Sequence, residues 1–148
     1  MSPQTLVALI VVAAAGVALA TQGMLNAALG RAAGSSLVAA TVSFGVGFIA
    51  LMTITLLTGE GGGFGRLGSI RPWLLFGGLM GAFYVWSIAW GVPTLGVVSA
   101  FAALILGQMI AALLFDASGA FGLAVHDITW KRIVAVALVA AGMVMSRI

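Results

Sequence analysis

The stretch that decides the fold is "RPWLLFGGLMGAFYVWSIAW", Arg71 to Trp90. After Arg71 it carries no charged residue, and Pro72 stands where a helix accepts proline, in its first turn. In a helix rising 1.5 Å per residue, Trp73 and Trp90 lie about 26 Å apart, a spacing that suits two anchors at opposite membrane interfaces. About 20 apolar residues are needed to cross the hydrocarbon core as a helix, and this segment supplies them.

The rest of the chain extends the same reading. Of its 148 residues, 63% are hydrophobic and only 6% are charged, with mean hydropathy +1.27. Soluble domains carry about 25% charged residues, so this is a membrane protein. The expected architecture is all-α and polytopic: residues 1–148 as a single five-helix transmembrane domain. Its approximate spans are 3–29, 36–57, 72–90, 96–115 and 130–146. Ala18-Leu19-Ala20 has the small-residue look of a leader cleavage site, but no basic segment precedes the apolar run, which is therefore read as the first span.

The connections are informative mainly by what they lack. "TGEGGGFGRLGSIR", Thr58 to Arg71, is glycine-rich but has no Gly-Lys-Ser/Thr ending, so it reads as a flexible linker rather than a phosphate cradle. "GVPTL", Gly91 to Leu95, reads as a tight turn, and Asp116 to Thr129 as a second polar connection. The net charge of +3 forms no basic patch or stripe, which argues against nucleic acid as a partner. With no cysteine and a single histidine, His126, the chain assembles no metal site and no catalytic triad. Neither an enzyme nor a cofactor is expected.

Helices in lipid associate through small residues. The first span offers Gly16, Ala20, Gly23 and Ala27, the third Gly77 and Gly81 with Tyr84 continuing the face, and the fourth Ala103, Gly107 and Ala111. Such stripes read first as bundle packing. More telling are the polar side chains at membrane depth: Gln22, Asn26, Ser43, Tyr84, Ser87 and Gln108. Each is costly facing lipid and is expected to point into the bundle or a wet cavity. Two readings follow. They hydrogen-bond one another to tie helices together, or they line a polar solute pathway flanked by Tyr84, Trp86 and Trp90. Asp116, two turns beyond Gln108, is the candidate coupling residue, because the carboxyl end of a helix disfavours a carboxylate as a proton-coupled site requires. The alternative for Asp116 is a solvated loop residue just outside the span.

From the third span onward, "GGLMGAFYVWSIAWGVPTLGVVSAFAALILGQMIAALLFD" resembles the small five-helix, YdcZ-like branch of the drug/metabolite transporter superfamily. "QGMLNAALGRAAGSSLVAATVSFGVG" resembles that family's opening segment. The most specific pieces are Gln22 with Asn26, the series Gly77, Gly78, Gly81 and Tyr84, Val92-Pro93 with Leu95-Gly96, and Gly107-Gln108 with Asp116. Where such proteins usually continue with histidine after the acid, this chain has Ala117.

The resemblance implies an inner-membrane transporter of small solutes or metabolites working by alternating access. It also implies that the chain is one half-repeat of a ten-helix fold, because larger relatives resemble two five-helix halves of opposite orientation. Inverted repeats place the substrate site at their interface. A homodimer, in antiparallel form through dual topology, would supply both halves. The basic residues agree with such balance: Arg66, Arg71, Lys131 and Arg132 fall on one side, Arg31 and Arg147 on the other. The expected partners are therefore a small-molecule substrate, the lipid bilayer and a second copy. The competing reading is a structural or accessory membrane subunit without transport activity. A cation exporter like the four-helix small multidrug proteins fits less well, because those proteins look to a carboxylate inside the first helix, where this chain has Gln22 and Asn26.

Overall fold

The computed structural model describes residues 3–122 and 124–148. Regular structure among them is helical throughout: α1 Pro3–Ala33, α2 Ser36–Leu57, α3 Phe76–Leu95, α4 Val97–Ser118 and α5 Trp130–Met145, with short 3-10 segments between. Four stretches are long and apolar enough to cross a membrane: Pro3–Ala33, Ser36–Leu57, Pro72–Leu95 and Val97–Ser118. The protein is thus an all-α, polytopic membrane protein. α5, at 16 residues, is about 24 Å long and falls short of a hydrocarbon core of about 30 Å.

The chain divides into two compact units, one ending at Pro93 and the next beginning at Thr94. In the first, α1 and α2 form a tight hairpin. Gly34 adopts φ +69, a left-handed conformation that glycine enters without a Cβ penalty. The Ser35 amide then donates to the Gly30 carbonyl at 2.9 Å and the Gly34 amide to Arg31 at 3.4 Å, the pair of bonds that closes a helix end. Ser35 caps α2 in turn, its hydroxyl accepting from the Val38 amide. Small residues let the two backbones approach: Gly23, Ala27, Ala39 and Ala40 are buried. In the second unit, α4 and α5 are joined near both ends. Ser99 Oγ lies 3.0 Å from Ser146 Oγ, and Arg132 Nη1 lies 2.9 Å from Asp116 Oδ2.

Three connections differ from the sequence expectation. "GVPTL" is not a tight turn: α3 runs through Pro93 to Leu95, and the break is Gly96 alone, at φ 78 and ψ 161. Proline lacks the N–H that would bond the carbonyl four residues back, here that of Ala89, but its fixed φ is helical, and α3 continues two residues beyond it. The glycine-rich linker contains a 3-10 helix over Glu60–Ser69, entered through Gly59 at φ 75. Asp116, expected where the loop begins, lies in the last turn of α4.

The outer surface is apolar. Val12, Val17, Val46 and Ile49 are all more than half exposed, an arrangement suited to lipid. Hydroxyls on these helices are satisfied internally. Thr21, Thr41, Thr53 and Thr55 each donate to the carbonyl four residues back, at 2.8 to 2.9 Å.

Candidate functional site

Three of the polar residues singled out in the sequence meet in one cleft of the first unit. Gln22 from α1, Ser43 from α2 and Tyr84 from α3 line an open cavity of about 430 Å³ together with Phe44, Gly47, Phe48, Leu51, Gly81 and Val85. Ser43 is seven residues into α2, about 10 Å along its axis, and Leu51 lies a further 12 Å on, so the cleft occupies the depth of the span rather than its mouth. Its volume falls within the range of about 300–1,000 Å³ typical of small-molecule sites.

The local sequence explains how it forms. Phe44, Gly47, Phe48 and Leu51 are spaced i, i+3, i+4, i+7 and so share one face of α2. Gly81 and Tyr84 sit three apart on α3 and face it. Gly81 permits the close approach, since a Cβ there would stand 3.3 Å from Phe44 Cζ. At Gly47 an added Cβ would meet nothing within 4 Å. The cavity therefore owes part of its space to an absent side chain.

The polar groups of the cleft are loosely held. Gln22 Nε2 donates to Ser43 Oγ at 3.5 Å, the far edge of hydrogen-bond distance. Ser43 thus differs from Ser87, whose hydroxyl donates to the Phe83 carbonyl at 2.7 Å and is satisfied within its own helix. Among the described residues, the Tyr84 hydroxyl and Gln22 Oε1 have no hydrogen-bond partner. No carboxylate, lysine, arginine or histidine lines the cavity. The arrangement can present neutral donors and acceptors against aromatic and aliphatic walls.

The other candidates are placed differently. Asn26, one turn beyond Gln22, is only 5% exposed, and its side chain has no hydrogen-bond partner among the described residues. It does not line the cleft. Trp86 stacks on Trp90, with ring centroids 6.1 Å apart and planes 16° from parallel. Gln108 is exposed on α4, in the second unit. Asp116 is bonded to Arg132 and borders a separate apolar cavity of about 170 Å³ with Met109, Leu113 and Val136. This pairing offsets the unfavourable position of a carboxylate at a helix end and of a cation at the start of the next.

Sequence reasoning passed over Phe44, Gly47 and Phe48. Their i, i+3, i+4, i+7 spacing with Leu51 was a readable signal, hidden because every face of α2 is apolar.

Comparison with known proteins agrees with this architecture. The family model described as "Putative inner membrane exporter, YdcZ" matches residues 7–145. The chain is 31% identical over 104 residues to "Inner membrane protein YdcZ" of Escherichia coli (strain K12), covering 70% of each protein. No solved structure matches. From Val7 to Met145 the chain follows one family pattern, and it belongs to the YdcZ family of multi-pass inner-membrane proteins.

Proposed function

We propose that the protein moves a small solute across the inner membrane by alternating access, with the cleft of Gln22, Ser43 and Tyr84 as its solute site. The observation that carries this reading is the meeting of three polar side chains from three helices in a cavity at span depth, where burial in lipid would otherwise penalise them. Asn26, a buried residue one turn along α1, is a further polar candidate, and Trp86 and Gln108 are candidate solute contacts on their own helices. α5 serves as a fifth span, the bilayer thinning or its flanks reaching outward to meet a short helix. The chain then acts as one half-repeat of a ten-helix fold and functions as an antiparallel homodimer. Asp116 is the coupling carboxylate, exchanging its bond to Arg132 for a proton or a co-transported ion.

The test is solute flux in proteoliposomes carrying the full chain or the double variant Gln22→Ala/Asn26→Leu. Saturable flux with the native chain, lost in a variant that inserts and unfolds normally, is the expected result. Loss of folding in the variant would make the amides packing groups. Absence of saturable flux for the native chain across neutral, anionic and cationic metabolites would favour an accessory subunit.

A further inference from the structure

We infer that the cleft selects an uncharged solute with an aromatic or apolar body and one or two hydrogen-bonding groups, and that Gly47 is the residue that keeps its space open. This rests on the cleft being the solute site. Its lining is nine residues without a formal charge: three aromatic rings, two glycines, two aliphatic side chains, one amide and one serine hydroxyl, with the Tyr84 phenol as its only other polar group.

Charge decides the class. An ion entering a site at span depth with no counter-ion forfeits hydration worth many kcal/mol. The faces of Phe44, Phe48 and Tyr84 would return only about 0.5–2 kcal/mol to a cation, and no group in the lining rewards an anion with a full charge. Asp116 and Arg132 are bonded to each other on α4 and α5.

Hydrogen bonding narrows the class further. Ser43 accepts the long contact from Gln22, which leaves Gln22 Oε1 as an acceptor and the Ser43 and Tyr84 hydroxyls as donors without a partner among the described residues. A primary amide satisfies both kinds at once, offering N–H to Gln22 and a carbonyl to the hydroxyls. The rings of Phe44 and Phe48, at i, i+4 in the lining, suit a ring.

Gly47 supplies the structural test. Gly47 lines the cavity and a Cβ added there meets nothing within 4 Å, so the first carbon of a larger side chain finds open space. Gly45, also on α2 and equally unobstructed, does not line the cleft and controls for the loss of a helix glycine.

The probes are three naphthalenes of one skeleton: 2-naphthylacetamide, 2-naphthylacetate and 2-naphthylethylammonium. Binding to the full-length purified protein in lipid nanodiscs is read by equilibrium dialysis, with empty nanodiscs subtracted. The amide is expected to bind about tenfold or more tightly than either ion. Gly47→Leu is expected to weaken the amide by about tenfold with an unchanged unfolding midpoint, and Gly45→Leu to leave it unaltered. Equal or tighter binding of an ion, still abolished by Gly47→Leu, would overturn the neutral-solute class and keep the cleft as the site. Binding indifferent to Gly47→Leu would remove the cleft itself from the reading. Failure of all three probes to bind would overturn the proposed solute class, while saturable flux of another solute would leave transport standing.

Discussion

A phenol with no partner inside the protein can be removed without structural loss, and Tyr84 is such a group among the described residues. Tyr84→Phe keeps the ring against the cleft and deletes only the hydroxyl. The expected outcome is an unfolding midpoint equal to or above the native one and a several-fold lower solute affinity, read by thermal unfolding and binding on one preparation. Ser43→Ala makes the companion case. Its contact with Gln22 is 3.5 Å long, and interhelical hydrogen bonds in membranes average about 0.6 kcal/mol, so its loss should cost less than about 1 kcal/mol. A drop of several kcal/mol would mean that Ser43 organises α1 against α2 rather than waiting for a solute. Gln22 and Ser43 were legible in the sequence because a polar group in an apolar run announces itself. Phe44 and Phe48 were not, because one more apolar face on an apolar helix carries no contrast.

Among the elements, the spans are written most plainly in the sequence and the connections least. The span read at about 36–57 coincides with α2, which Ser35 caps at one end and polar Thr58 closes at the other. The end of α3 was misjudged because proline reads as a stop, whereas Pro93 holds a helical φ and the helix runs on to Leu95 despite the lost bond. Gly96 carries the break instead, at φ 78 and ψ 161, a region open essentially to glycine alone. Gly96→Ala is therefore expected to destabilise the protein by about 1–3 kcal/mol, measured by unfolding in detergent. A neutral result would mean that the α3–α4 connection relaxes to another conformation. The join between α4 and α5 makes the opposite prediction. Asp116 and Arg132 keep 36% and 38% of their side chains exposed, so screening limits the pair to a coupling of about 0.2–1 kcal/mol in a double-mutant cycle with Asp116→Asn and Arg132→Gln. A weak structural bond is what a coupling carboxylate needs, because a partner held tightly could not be exchanged. If Asp116→Asn leaves flux and its proton dependence unchanged, the pair is structural only.

At the scale of the whole molecule, the question is how many orientations the chain adopts. With α5 taken as a fifth span, as proposed, the basic residues divide four to two between the two sides, too even a split to impose one direction. The sequence has no cysteine, so a single one introduced at Ser69 reports alone. The position is exposed in the 3-10 helix between α2 and α3, and its hydroxyl donates to the Arg66 carbonyl one turn back. Labelling Ser69→Cys in intact cells with a membrane-impermeant thiol reagent, and again after permeabilisation, should modify part of the population from outside and the remainder afterwards. That division would place two inverted copies in one membrane, the arrangement the proposed half-repeat requires. Adding lysines to the 58–71 connection should then drive the chain into one orientation and abolish flux, and co-expression with an oppositely biased variant should restore it. A native chain labelled entirely from one side would rule out the antiparallel pair. The cleft between α1, α2 and α3 would then have to complete the solute path within a parallel assembly.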